Sequence, residues 1–593
     1  MEYSIETIRF LAPNDFATEE MLQTIHMLAL DRTMIPVEAE LVGNELRLHY
    51  PDLDNLRFCV PWTIPNVGNK MLTTGTLLAT DKPYFLSLEL ARGMCVSVRN
   101  QAADWETAGL TIEPEITQRI QEAGTYLFHA IKLAYHKTEY DPEVDKYSNY
   151  VMTLCTQATL LLVKAYIERV LRLRKIAKQS ADAAIIAMSG SQPLALQDDL
   201  LENDELFDED SVTHFLAQLD QAQSRNRDMN SSGLGDSFHD GFYDAFDDSD
   251  DISGDDTAVH IIEAVPPKYV GVNLGARLLG KQDKNIFFET CNHIIIDTPW
   301  RLIHEAPEHL QEYDSQIEWA ESNGFSVSVG PLLNFSPNHL PDYLMRMNGD
   351  YDAICHEVRE HVAHIVKRYR SKVSTWIASS RVNTFFPFGL TLLQQLELTG
   401  KIVTWIHEFH PTAEVFTSLD MPWGDNVLPP PFGAEDEEGR IYPTIVCADY
   451  LLRSKCKVDG FQLEFNIGYR KRATYDRPIV DWSRMIDRWS HFGVPLYLQV
   501  RVPSSCEPDP LALNPEPPLW SGWTPRYQAL WASHVLPVLL AKPNVYGIDW
   551  CVFRDSRPHD YPNAGLIDRN GQPKRVQQVL SEMLKYFMAD MDL

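Results

Sequence analysis

The sequence predicts a multidomain chain: an N-terminal β-rich domain plus a helical hairpin, followed by a C-terminal α/β barrel of the (β/α)8, TIM type. Three observations carry this. At 593 residues the chain is too long for one hydrophobic core. Its first part alternates apolar and polar residues at strand spacing and then changes to helical spacing. After Pro266-Pro267, short apolar runs alternate with amphipathic stretches, the rhythm of a parallel α/β fold. The expected divisions are 1–110 for a β-sandwich-like domain, 111–190 for the hairpin, 191–258 for an acidic disordered linker and 259–593 for the barrel.

Taken in order, Val37 to Tyr50 alternates around Gly43-Asn44, which reads as a β-hairpin. Leu72 to Leu78 and Tyr84 to Leu90 read as further strands. Trp62, Tyr84 and Trp105 could serve as sugar platforms, but core packing is the stronger reading. From Glu113, residues Ile116, Ile120, Leu127 and Ile131 fall at helical spacing after a proline. A second helix is expected from about Val144 to Ser189, with a basic patch at Arg169, Arg172, Arg174, Lys175 and Lys178. Acids then crowd Asp198 to Asp210 and Asp236 to Asp256, too polar to offset their chain entropy by burial. Aromatics among those acids (Phe238, Phe242, Tyr243, Phe246) give segment 198–256 the pattern of a protein-partner motif, against the plainer reading of a solvated linker.

Net charge narrows the partners. A formal charge of −31 disfavours nucleic acid and anionic membrane surfaces. The apolar run Ala158 to Val163 stops at Lys164, too short by itself to span a bilayer. Nine cysteines lie singly, without paired spacing, which fits reduced thiols. With no export signal read at the start, the expected location is cytoplasmic. No phosphate-binding loop, dinucleotide fingerprint or zinc-protease motif is seen, so no cofactor and no metal are expected.

In the barrel region, His293–Ile296, Phe325–Val329, Val373–Ile377, Val415–Leu419, Gly460–Phe465, Leu496–Val502 and Tyr546–Val552 read as strands. A barrel of this type places its site at the C-terminal strand ends. On Gly460–Phe465, alternation puts Gln462 and Glu464 on one face and Leu463 and Phe465 on the other. Glu464 then points inward and needs a cationic partner, which Arg381 or Arg501 could supply.

Asp297-Thr298-Pro299-Trp300 after what reads as the first strand, Trp319-Ala320, His361 to Trp376, Val458-Asp459-Gly460-Phe461, Phe492-Gly493-Val494-Pro495-Leu496 and Tyr546-Gly547-Ile548-Asp549-Trp550 follow in an order that resembles family 10 glycoside hydrolases, the xylanase family. The closing run, Gly565-Leu566-Ile567-Asp568 then Gly571-Gln572-Pro573-Lys574, is the most specific. The resemblance covers the barrel alone and implies a β-glycan hydrolase fold.

The family's two catalytic glutamates are not matched. Trp376-Ile377-Ala378-Ser379-Ser380-Arg381 carries Arg381 where the acid belongs. Leu498-Gln499-Val500-Arg501 carries Gln499, an uncharged amide, where the nucleophile belongs. Retaining hydrolysis needs two carboxyls about 5–5.5 Å apart. Whether the chain is an enzyme therefore stays open. One reading is a rebuilt hydrolase with Glu464 and Asp420 as its acid–base pair. The other is a non-catalytic barrel, or a scaffold acting through its acidic segment. The expected ligand is a carbohydrate or an anionic small molecule, held by Trp300, Asn334, Arg381, Trp423, Gln499, Arg501, Trp550 and Asp555.

Overall fold

A computed structural model describes residues 5–29, 34–51, 57–78, 80–188, 268–274, 280–425, 442–469, 474–513 and 517–588. The described residues up to 175 and from 268 onward form one compact unit. The expected acidic linker, 191–258, lies outside the described residues. So does the motif reading of 198–256.

The hairpin forms as the alternation requires. Glu38–Val42 pairs antiparallel with Glu45–Pro51, and Gly43 adopts the left-handed φ of 61° that a tight turn demands. This pair joins Ile5–Leu11 and Tyr84–Phe85 in one four-stranded sheet. Met34–Pro36, His26–Leu28, Phe58–Ile64 and Gly68–Thr73 make a second sheet. The two sheets share one core, in which Phe10 meets Phe58 edge to face at 5.9 Å.

Two expectations need correction here. The β-rich region ends at Phe85, because Leu86–Thr107 is a helix. Leu86, Leu88 and Leu90 alternate like a strand, yet Leu90, Met94, Val98 and Ala102 continue at helical spacing and are buried. The strand expected at Leu72–Leu78 falls instead at Gly68–Thr73. Three helices therefore follow the sheets: Leu86–Thr107, Pro114–Ala134 and Pro142–Met188. Trp62 and Trp105 are buried, at 4% and 7% exposure, and pack as core. Pro142–Ile176 is long and apolar enough, by length and composition, to cross a membrane, although Ala158–Val163 alone is not. Its apolar face is already used, since Val151, Met152, Leu154, Cys155 and Ala158 pack into the N-terminal core.

The C-terminal part is a closed barrel of eight parallel strands. In order they are Tyr269–Asn273, His293–Ile296, Ser326–Val329, Thr375–Ile377, Glu414–Asp420, Gly460–Asn466, Leu496–Arg501 and Val545–Trp550. The strand missed in the sequence is the first, Tyr269–Asn273, so the strand before Asp297 is the second. On the sixth strand Phe461, Leu463 and Phe465 face the helix layer, packing with Trp482 and Trp489. Gln462, Glu464 and Asn466 face the interior, where each finds polar partners.

The N-terminal sheets dock on the barrel through a buried acid. Asp476 accepts from Lys70 Nζ at 2.5 Å, from Trp531 Nε1 at 3.0 Å and from Tyr527 OH at 3.3 Å. Arg484 adds bonds to Ser97 and Gln101, and Lys542 lies against Trp105 and Tyr166. Removing one partner of a buried ion pair strands the other, at about 3–5 kcal/mol. Lys70→Met is expected to lower unfolding stability by about 3 kcal/mol. The double variant Lys70→Met/Asp476→Asn should cost less than the sum of the single changes; additive losses in chemical denaturation would show that the pair is not coupled.

Candidate functional site at the barrel mouth

Glu464 is the centre of the mouth and is wholly buried. Strand register sets Asp420, Glu464 and Gln499 side by side on the fifth, sixth and seventh strands. One Glu464 oxygen accepts from Ser380 Oγ at 2.6 Å and from Ser418 Oγ at 3.0 Å. The other accepts from Arg381 Nε and Arg501 Nη1, both at 3.3 Å. Burial alone would keep this acid protonated. The two guanidiniums and the hydroxyl donors outweigh it and hold the carboxyl below its ordinary range.

The arginines are themselves satisfied. Arg381 Nη2 donates to Asp560 at 2.9 Å. Arg501 donates to Asn466 at 3.1 Å and to Gln499 at 3.4 Å. Tyr561 lies against both guanidiniums, with ring centroids 5.5 and 5.4 Å from Arg381 and Arg501. Asp560 also meets His339 Nε2 at 3.1 Å. Its carboxyl is held far below the usual range by His339 and Arg381, although burial opposes this. The backbone turns sharply at two strand ends, where Arg381 and Met421 have φ of 62° and 53°. Such left-handed conformations cost a non-glycine residue about 1–2 kcal/mol and persist only where surrounding contacts enforce them.

Asp420 is also fully buried. One oxygen accepts from Asn466 Nδ2 at 3.0 Å and from the Met421 N–H at 2.8 Å, while Oδ2 has no partner. Burial, then the charge of Glu464, pushes its pKa up to about 7. Environment thus drives two adjacent carboxyls apart, one held below its ordinary range and one raised well above it. Asp297, at the end of the second strand, is raised to about 6 by burial.

The structure brings Glu464, Asp420, Arg381, Arg501 and Gln499 together. Asn334 is close, since Leu333–Asn334 pairs with Ser379–Ser380, but its Oδ1 accepts from the Ser336 N–H of its own loop. The expected tryptophan walls do not form. Trp300 is buried and stacks on the equally buried His361 at 4.2 Å. Trp550 is fully buried in the helix-facing core and donates to the Ala564 carbonyl. Trp423 packs on Trp482 and under Arg477. Asp555 is used structurally, paired to Lys574 at 2.5 Å and capping the Gly565 N–H.

Sequence reasoning did not find His339, Asp560 or Tyr561. His339 ends a short 3-10 turn, and the other two sit on the loop beyond the last strand, where no periodicity marks them. Ser380 and Ser418 were passed over because an inward hydroxyl carries no signal until a buried charge beside it is known.

This geometry defines a (β/α)8 barrel protein with a charged mouth at the C-terminal strand ends. No family model matches the chain, and no curated protein does. Among solved structures it is similar to xylanase 10B from Thermotoga petrophila RKU-1 in complex with xylobiose, at 18% identity over 54% of this chain and 94% of that one, with a TM-score of 0.39. It is similar also to native xylanase 10B from Thermotoga maritima, at 17% identity over 55% and 96%, TM-score 0.40. Xylanase B from Clostridium stercorarium F9 gives 13% identity over 53% and 96%, TM-score 0.40. The likeness is one of barrel fold, and no residue role is transferred on it.

One titration in the barrel interior is measurable. Asp549 on the eighth strand is buried, bonds Gln462 at 3.1 Å through one oxygen, and is raised by burial to about 7. Its unfolded value is about 3.9. A carboxyl raised on folding favours the folded state fully below about pH 4, and this contribution is lost as pH rises through about 7. Thermal stability is therefore expected to fall between about pH 4 and about pH 7 and to level off above that. Asp549→Asn should flatten that fall and melt at least about 2 °C above the wild type at the alkaline end. An unchanged pH profile in the variant would show that Asp549 does not titrate there.

Proposed function

We propose that this protein is a non-catalytic descendant of a xylanase-like barrel, one that binds a carbohydrate instead of cleaving it. One observation carries the reading: both oxygens of Glu464, the deepest glutamate of the mouth, are saturated by four protein donors. A glycosidase carboxyl must present a free oxygen to the glycosidic bond. Arg381, Arg501 and Tyr561 close over Glu464 and are themselves at most 8% exposed. The same pairing tells against an anionic ligand at this level, because Glu464 and Asp560 already neutralise the two guanidiniums. The carbohydrate part of the proposal rests on the ordered stretches that resemble family 10.

A second reading has one observation in its favour. Asp420, near pH 7 and with an unpartnered oxygen, has the protonation of a general acid beside an ionised Glu464. It would require Tyr561 and its loop to withdraw.

The full chain is to be incubated with aryl β-glycosides and xylo-oligosaccharides at high protein and long times, beside Glu464→Gln and Asp420→Asn. The expected result is no turnover by any of the three, with a melting shift of the wild type on adding xylo-oligosaccharides. Glu464→Gln is expected to lose about 3–5 kcal/mol of stability, since it leaves two buried guanidiniums short of an anion. Turnover by the wild type that vanishes in folded Asp420→Asn would overturn the non-catalytic reading and install the second.

A further inference from the structure

The nine cysteines look unrelated in sequence, but folding brings two of them into contact. Cys95 lies on the helix Leu86–Thr107 and Cys155 on the helix Pro142–Met188, 60 residues later. Their Sγ atoms are 3.5 Å apart, and both side chains are buried, at 7% and 2% exposure. A covalent bond needs about 2.05 Å, so closure requires an approach of about 1.5 Å, within reach of small side-chain rotations.

We propose that Cys95 and Cys155 form a reversible disulfide, a modification site that ties the two helices together. Cys95 is the entry thiol. It is the more exposed of the two, and its own helix turn carries exposed Val96 and Arg99. The bond from Cys155, helped by Arg99, favours its thiolate against the opposing effect of burial, while Cys155 keeps its proton. The oxidant is a low-molecular-weight disulfide. The Cys95 thiolate attacks one of its sulfurs, the S–S bond breaks, and one small thiolate leaves. Cys155 then gives up its proton, attacks the Cys95 sulfur and expels the second small thiolate. Two protein thiols are thereby oxidised by two electrons, and one small disulfide is reduced to two thiols.

The bond would act on more than local packing. The helix Leu86–Thr107 also supplies Ser97 and Gln101 to Arg484 of the barrel. Fixing it to Pro142–Met188 stiffens the surface on which the barrel rests. Cross-linking across so long a loop stabilises chiefly by restricting the unfolded chain.

The test uses the full chain exposed to oxidised glutathione, followed by peptide mapping without reductant. A linked pair of peptides containing Cys95 and Cys155, lighter by two hydrogens, is expected. The melting temperature should rise by about 3 °C or more and return with dithiothreitol. Neither change should occur in Cys95→Ala or Cys155→Ala. Both thiols still open to alkylation after prolonged oxidation would overturn the proposal. So would glutathione held on Cys95 with Cys155 free. The mapping is decided on the wild-type chain alone, so it stands even where an alanine variant folds poorly.

Discussion

The barrel mouth is organised by the cost of burying one negative charge. Glu464 cannot remain ionised at zero exposure unless several donors reach it from different directions. Those donors come from the ends of the fourth, fifth and seventh strands, through Ser380 and Arg381, Ser418, and Arg501. Arg381 in turn reaches Asp560, on the loop after the eighth strand. A single carboxylate thus ties strands that are far apart in sequence into one closed ring. Parallel strands gain little from local contacts, so such cross-barrel links matter to where the sheet closes.

A second polar layer lies deeper and depends on space. A β-carbon at Gly271 would overlap the Asp549 carboxylate, and one at Gly547 would fall 2.9 Å from the Tyr497 ring. The two glycines leave room for an acid and an aromatic ring inside a barrel too narrow for both and further side chains. Gln462 shares an interior face with Glu464 and donates to Asp549, so the sixth strand serves both layers. His293, on the second strand, meets Ser328 of the third at 3.0 Å in the same interior. The low interior dielectric makes each of these bonds consequential, because an unpaired group there has no water to turn to.

Much of this was legible in the sequence. Seven of the eight barrel strands stand out as apolar runs with turn signals between them, and the alternation around Glu464 gave its inward direction and its need for arginine. Tyr269–Asn273 escaped because it follows Pro266-Pro267 closely, before the alternation of strands and helices has begun. The helix Leu86–Thr107 opens with three leucines at strand spacing, so its first turn misleads before its later turns correct it. The tryptophans misled for another reason. Position after a strand end does not say which way the Trp300 ring faces, and it stacks on His361; Trp550 is the last residue of the eighth strand, and alternation with the inward Asp549 turns it to the helix layer. Asp560 and Tyr561 were invisible, since a loop residue's partner is set by the path of the loop.

Arg381 and Arg501 put two positive charges in the middle of the mouth. Glu464 alone does not balance both, because one of its oxygens faces the two guanidiniums together. Charge balance calls for a second anion, and Asp560 supplies it, with His339 on its other oxygen. Bringing Asp560 inward brings Tyr561 with it, and the ring then covers both guanidiniums. The covering loop is therefore held electrostatically, through Asp560 between Arg381 and His339. A mouth arranged in this way satisfies its own charges: even Asp560 at its edge, whose side chain keeps 21% exposure, has both oxygens engaged, by His339 and by Arg381. The charged centre thereby holds the loop of Asp560 and Tyr561 against the strand ends.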